Sequence, residues 1–389
     1  MSVTSPPGFL AAGLSCGLKK NAAPDLALVV NEGPSDVAVG VFTRNRIQAA
    51  PVLWSREAVA DRRARAVVLN SGGANACTGS DGFLDTHRTA ERAADLLGLS
   101  AQDVLVCSTG LIGERLDVSA LMNGLDQAVA ALSATEQAGD DAARAIMTTD
   151  TVHKSVVAQT ADGITIGGMA KGAGMLAPQL ATMLVVVTTD AVIDAELADR
   201  LLRRAVRTTF NRVDSDACMS TNDTVILMAS GSSGVVPQEE DFAAALHTVC
   251  SALARALVAD AEGASHDVRV RVTSASSEAA AEAVAREVAR SNLVKAAIFG
   301  NDPNWGRIIS AVGCVPEEIA PYDPAAISVA VNGIEVCQGG AAYRDRSLVD
   351  MTLRETHIDI DLGAGCASAD IWTNDLTHAY VEENSAYSS

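Results

Sequence analysis

The sequence predicts an α+β fold made of two halves similar in kind. Three observations predict it. Short apolar runs alternate with amphipathic helical stretches along the chain. Each half carries one tight hairpin signal, Asp162-Gly163 in SVVAQTADGITIGG (155–168) and Asn332-Gly333 in AISVAVNGIEVCQG (326–339). The 389 residues are 48% hydrophobic but only 3% aromatic, so the core must come mostly from Ala, Val, Leu and Ile.

In the first half, strands are expected at LALVV (26–30), VAVGVF (37–42), AVVLN (66–70) and VLVCS (104–108). Helices are expected over 84–98 and 117–133, followed by the first hairpin. MLVVV (183–187) reads as a buried strand. In the second half, 192–210 is helical, with Asp194 suited to cap it. TVILMAS (224–230) is a strand, 239–260 a long Ala/Leu helix, and DVRVRVTS (267–274) an alternating strand. A helix over 277–297, the second hairpin and the strand HIDIDLG (357–363) complete the pattern. The similarity of the halves hints at a duplicated α/β unit, although no residue-level repeat is visible. Length alone suggests two or three domains, yet no linker-like segment divides the chain.

The formal net charge is −19. So acidic a chain repels phosphate backbones and anionic membranes, which argues against nucleic-acid or membrane partners; a local basic pocket for a small anion remains compatible with it. The eight cysteines are scattered with no CxxC pair, which suits neither a zinc site nor a disulfide scaffold. The N-terminus lacks the basic start and apolar stretch of a secretory signal, and no apolar run reads as a membrane span. A reduced, cytoplasmic location is expected. Six dispersed histidines, and Asp359 and Asp361 on the solvent side of a strand, give no metal site.

GLSCG (13–17) matches the nucleophile-elbow spacing, but no strand-to-helix context surrounds it, so it reads as a glycine turn. KGAGM (171–175) lacks the spacing of a nucleotide loop. Four polar loops at element ends suggest a shared site: NSGGANACTG (70–79), STGLIGE (108–114), STNDT (220–224) and FGNDPNWGR (299–307). The first two could present backbone N–H groups to an anion or oxyanion, or serve simply as turns. In LAPQLATMLVVV, Thr182 is either an ordinary strand-start threonine or the residue freed when the chain cuts itself after the small Ala181.

Longer segments decide between these readings. VFTRNRIQAAPV (41–52), VVLNSGGANACTG (67–79), CSTGLIGE (107–114), AIMTTDT (145–151) and KGAGMLAPQLATML (171–184) resemble, in order, the glutamate N-acetyltransferase / ornithine acetyltransferase family of arginine biosynthesis. So do FNRVDSDACMSTNDTV (210–225), AIFGNDPNWGRI (297–308) and WTNDLTHAYV (372–381), so the resemblance spans nearly the whole chain. It implies a four-layer α/β/β/α sandwich of duplicated units, of the ornithine acetyltransferase and self-cleaving aminopeptidase type. It also implies cleavage between Ala181 and Thr182, giving an α chain of residues 1–181 and a β chain of 182–389 in one intertwined fold.

The implied chemistry suits the residue types. Thr182 would take the acetyl group of N2-acetyl-L-ornithine as an ester, and the amine of L-glutamate would remove it, in ping-pong order. The freed α-amine, with an ordinary pKa of about 7.7–8.0, can act as base for its own hydroxyl. By position, Thr109 and Gly110 would form the oxyanion hole. Lys171 would meet substrate carboxylates, and Glu262 the side-chain ammonium of ornithine. Thr148, with Thr149 as a near alternative, and Asn384 and Ser389 complete the implied substrate contacts. The sequence departs from the family's usual residues at Gly73, Ala173, Gln179-Leu180, Ser265-His266, Asn374, Glu382-Glu383 and Ser389. No metal or organic cofactor is implied. The implied assembly is at least a dimer of the cleaved pair, a heterotetramer, and acetyl-CoA is a further donor in part of the family. A self-cleaving amidase or aminopeptidase, with water as acceptor, is the alternative activity.

Overall fold

The computed structural model describes residues 2–176 and 183–386, which form two compact units. The first is made of residues within 2–211 and 218–257; the second of 212–217 and 258–386.

The first unit begins with β1 (Phe9–Leu14), β2 (Leu26–Asn31), β3 (Val37–Phe42), α1 (Ala50–Ala58), β4 (Ala66–Asn70), α2 (Gly79–Leu97) and β5 (Val104–Ser108). It continues with α3 (Val118–Ala130), α4 (Glu136–Ala145), β6 (Lys154–Gln159), β7 (Thr165–Lys171) and β8 (Leu184–Thr189). Then come α5 (Ala195–Thr208), β9 (Thr224–Ala229) and α6 (Glu239–Ala259). Two sheets result, with strand orders β1-β2-β4-β5 and β3-β9-β8-β7-β6.

The near-continuous apolar strands are explained by burial on both faces. Val29, Leu69 and Leu105 of the four-stranded sheet share one core cluster with Met169, Leu184, Val186, Ile226 and Met228 of the five-stranded sheet. The alternate residues Leu28, Val68 and Val106 pack instead with Ala90 and Ala93 of α2 and Leu121 and Leu125 of α3. On the five-stranded sheet, the place of a Cβ on Gly168 lies 3.0 Å from both Leu253 and Val249, so α6 rests directly on β7. This is the expected α/β/β/α layering, with α2 and α3 on one outside. Helix α6 is long and apolar enough to cross a membrane by length and composition, which the reading of apolar runs passed over. Half of its most apolar window is buried, and Leu246, Val249, Cys250 and Leu253 are core residues, so it serves as a core helix of this unit.

Helix starts follow their caps. Asp117, Thr135 and Asp194 each accept a backbone N–H of the first turn of α3, α4 and α5. The first hairpin forms as expected, with Gly163 at φ +87° and a five-residue connection between Gln159 and Thr165.

The second unit contains β10 (Asp267–Ala275), α7 (Glu278–Arg290), α8 (Asn292–Phe299), α9 (Trp305–Val312), β11 (Ser328–Val331) and β12 (Ile334–Gln338). It ends with β13 (Ala341–Ala342), β14 (Glu355–Asp361), β15 (Ala367–Asn374) and α10 (His378–Ala386). Its sheet order is β13-β12-β11-β14-β10-β15. Val268, Val270, Val272, Ile358 and Ile360 face a core shared with Ala281, Val284, Ala285 and Val288 of α7. The other face is charged, with Arg269 3.2 Å from Asp359. Asn332 and Gly333, at φ +47° and +79°, make the two-residue turn between Val331 and Ile334. The helix expected over 277–297 is two helices: Ser291 closes α7, and its hydroxyl accepts the N–H of Val294 to start α8. Within FGNDPNWGR, read as a loop, Asn304 caps α9 by accepting the N–H of Arg307.

Candidate active site

The register of the five-stranded sheet lines up one edge of the site. Lys171 at the end of β7 lies opposite Leu184, Leu184 opposite Thr224 of β9, and Thr224 opposite Phe42 of β3. Lys171 and Met183 thus flank the connection that contains Ala181 and Thr182. Those two residues, like Ser389, lie outside the described residues.

Three of the four polar loops meet at this end of the first unit. Asn222 Nδ2 donates to the carbonyls of Ala74 (2.6 Å) and Ser108 (2.8 Å), tying STNDT to both small-residue loops. Asn70 Nδ2 donates to Ser108 Oγ at 2.7 Å, and Thr109 N–H donates to the Asn70 carbonyl at 3.0 Å. Gly110 has φ +132°, and the place of a Cβ on it lies 2.8 Å from Gly73 N. Glycine is required there both for the backbone angle and for the close approach of the two loops. The fourth loop, 299–307, belongs to the second unit.

Lys171 is buried, and its Nζ donates to Thr109 Oγ1 at 3.2 Å. Near it lies Asp150, whose Oδ1 accepts from Lys154 Nζ and from Gly172 N–H, both at 2.7 Å. Its Oδ2 accepts the N–H of Thr148 at 3.0 Å, which ties Thr148 to the Lys171 cluster. Burial alone would raise the Asp150 carboxyl. The cations of Lys171 and Lys154 and the Gly172 N–H outweigh it and bring the pKa down to about 2. Lys19 adds a third cation, its Nζ donating to the carbonyls of Pro24 (2.9 Å) and Met147 (2.7 Å). Burial pushes the Lys19 amine below its ordinary value; Lys171 works in the same direction, against Asp25 and Asp150.

Asp223 is another buried acid of the site. Its Oδ1 accepts the N–H of Met183, the residue that follows Thr182 in sequence, at 3.1 Å. Its Oδ2 is buried and meets no hydrogen-bond partner among the described residues. Burial raises this carboxyl well above the usual carboxylate range, against the Met183 N–H, which lowers it. Sequence reasoning missed Lys19, Asp150, Lys154 and Asp223 as site residues. Asp150 and Asp223 lie inside the noted segments MTTD and STNDT, but their roles depend on burial.

In the second unit, Asn384 Nδ2 donates to Glu262 Oε2 at 3.0 Å, bringing two of the expected substrate contacts together. Glu262, Asp216, Lys295, Asp375 and Tyr380 line a cavity of about 290 Å³. Gly263, at φ +61°, lets α10 come close: a Cβ there would lie 2.3 Å from Tyr380 N. Asp375 accepts from the backbone of Ser265 (2.9 Å) and His266 (3.0 Å) and pairs with His266 Nδ1 at 2.9 Å. The Ser265-His266 departure is therefore built into the base of α10 and, through Asp375, into the wall of this cavity.

The ArgJ family model matches residues 10–389. A protein of Streptomyces coelicolor named arginine biosynthesis bifunctional protein ArgJ is 59% identical over 389 residues, covering 100% of both chains. One of the same name from Bifidobacterium longum is 56% identical over 391 residues, again covering 100% of both. The solved ornithine acetyltransferase of Mycobacterium tuberculosis, complexed with ornithine, is 53% identical over 47% of this chain and 96% of that chain, with a TM-score of 0.45. A family match over nearly its whole length, with relatives of this identity over full length, establishes that the chain belongs to the ArgJ family.

Proposed function

We propose that the protein transfers the acetyl group of N2-acetyl-L-ornithine to L-glutamate in arginine biosynthesis. The chain would first cut itself between Ala181 and Thr182 into an α chain (1–181) and a β chain (182–389). The relatives' names, an ornithine acetyltransferase and arginine biosynthesis proteins, support the substrate class and disfavour the hydrolytic alternative. The single structural observation that supports the reading is that Lys171, hydrogen-bonded to Thr109, also acts on Asp223, which accepts the Met183 N–H, so described residues on either side of the cleavage segment in sequence share one cluster.

In this reading Thr182 attacks the acetyl carbonyl while its own α-amine accepts the hydroxyl proton. Thr109 and Gly110 receive the oxyanion, and ornithine leaves with the proton. The glutamate amine then attacks the acetyl ester and restores the threonine. Lys171, beside Thr109, supplies the positive charge for substrate carboxylates, and Thr148 shares its cluster. Glu262, held by Asn384, offers a carboxylate to the ornithine ammonium, with Ser389 as a further contact. Acetyl-CoA as a second donor, a cytoplasmic location and a heterotetramer of two cleaved pairs belong to the same reading.

The test is the denatured intact mass of the purified protein beside its Thr182→Ala variant, with a glutamate-dependent assay of ornithine release. The expected result is two masses split before Thr182, one full-length mass in the variant, and acetylglutamate formed only by the former. A single full-length mass in both, with no transfer, would overturn the proposal.

A further inference from the structure

The first unit carries a second cavity, of about 580 Å³, that the transfer chemistry does not use. It lies against β3, the edge strand of the five-stranded sheet, and is walled by α1, the turn after it and α5. In a chain with 48 acidic and 29 basic residues, Arg44, Arg56, Arg62 and Arg203 line it, and among the described residues Asp199 is its only acidic lining residue.

The charges are only partly compensated. Arg203 Nε is held by Asp199 at 2.9 and 3.0 Å, and Arg62 reaches the exposed Glu196 at 3.4 Å. Arg56 meets only neutral groups: Gln48 Oε1 at 3.0 Å, the Thr43 carbonyl at 3.4 Å, and the face of Phe42. Arg44 has no hydrogen bond or ion pair among the described residues. Two guanidinium groups thus face the cavity without a carboxylate. Arg62 is held at φ +63°, a backbone conformation that arginine seldom adopts.

The strand edge adds donors. Ala38 N–H points away from β9, to the Arg62 carbonyl at 3.0 Å. By the alternation of an antiparallel ladder, the N–H groups of Gly40 and Phe42, both cavity residues, point to the same open edge. Val39, Val41, Val59 and Ala60 supply apolar wall. Guanidinium forks match phosphate oxygens. An inorganic ion would leave most of this volume empty, and the apolar wall suits an organic part; the volume lies within the range of small-molecule pockets.

We propose that this cavity binds a small phosphate ester of nucleotide size, its phosphates on Arg44 and Arg56 and its organic part against the β3 wall. The site shares no residue with Thr109, Lys171 or Thr182, so its occupancy does not depend on the acetyl-transfer reading.

The test is calorimetric titration of the purified full chain with pyrophosphate and with ADP, at low and high salt. One saturable site is expected, weakened by salt, with ADP at least as tight as pyrophosphate. Arg44→Gln with Arg56→Gln should weaken binding at least tenfold. Arg88→Gln with Arg92→Gln, an equal charge change on α2, should weaken it less than twofold. Arg44→Gln alone removes a side chain without a partner in the described fold; it should weaken binding at least threefold with an unchanged unfolding temperature. Absence of saturable binding of either probe at millimolar concentration would overturn the proposal. So would equal loss in the α2 pair, or tighter binding of an oligoglutamate peptide than of both probes, which would make the cavity a protein-docking face.

Discussion

Lys171 Nζ stands 3.2 Å from Thr109 Oγ1, joining the end of β7 to the loop after β5 across 62 residues of sequence. Both side chains are buried. A buried ammonium needs partners, and Thr109, the proposed oxyanion donor, is one of them. Thr109→Val keeps the shape and removes the hydroxyl. It should lower glutamate-dependent ornithine release by about 10²–10³-fold, and Thr109→Ser should restore most of it. Steady-state assay of both variants checks this; a Val variant within threefold of the parent would remove Thr109 from the oxyanion role.

Asp150 makes site stability depend on pH. Its pKa is brought down to about 2, below the ordinary carboxylate value. A depressed carboxylate stabilises the fold above its unfolded pKa, and that contribution is lost as pH falls through the folded value. The window therefore runs from about pH 4 down to about pH 2. Asp150→Asn should cost on the order of 2–3 kcal/mol at pH 7, with the difference from the parent shrinking as pH falls through that window. Denaturant unfolding at pH 7 and pH 3 measures it, and a constant difference would count against the Lys154 and Lys171 pairing.

Asp223 acts through the Met183 N–H, 3.1 Å from its Oδ1. Asp223→Ala leaves that N–H without its acceptor at the residue after Thr182. Both self-cleavage and acetyl transfer should slow by about tenfold or more, since a small misplacement of reacting groups is costly. Asp223→Asn keeps an acceptor and should retain most of the cleavage rate. Its carboxyl is raised by burial, so the parent loses stability as pH rises through that raised value. The Asn variant should therefore be at least as stable as the parent at pH 9. Time courses of processing on denaturing gels and thermal unfolding at pH 6 and pH 9 give the readout.

Glu262 is held by Asn384 at 3.0 Å. Glu262→Gln keeps that contact and removes the charge that the proposed function assigns to binding ornithine. KM for N-acetylornithine should rise about tenfold, the order expected for losing a hydrogen bond to a charged group, with kcat changed less than threefold. The KM for glutamate should move little. An unchanged donor KM would take Glu262 out of the substrate site.

Local pattern carried much of this protein. The strand over 37–42 and the Asp194 cap were legible because burial period and capping chemistry act over a few residues. The Asn332-Gly333 turn was legible because two left-handed residues in sequence suit little else. The family followed from many short segments in order. Short helices were hidden where their signals are weak: α9 starts at Asn304 inside a stretch rich in turn residues, and a serine cap splits 277–297.

By itself, then, the sequence determined the alternation of elements, the family and the residue types available for transfer. Only the tertiary structure decided which of them meet. It brings 70–79, 108–114 and 220–224 to one place and assigns 299–307 to the other unit. It buries Asp150 beside Lys171 and Lys154, whose charges prevail, and Asp223 where desolvation outweighs the pull of Lys171, so two identical side chains shift in opposite directions. It also gathers Arg44, Arg56, Arg62 and Arg203 around one cavity in an acidic chain. Desolvation and Coulomb interactions depend on distances in space, and no local periodicity encodes those distances.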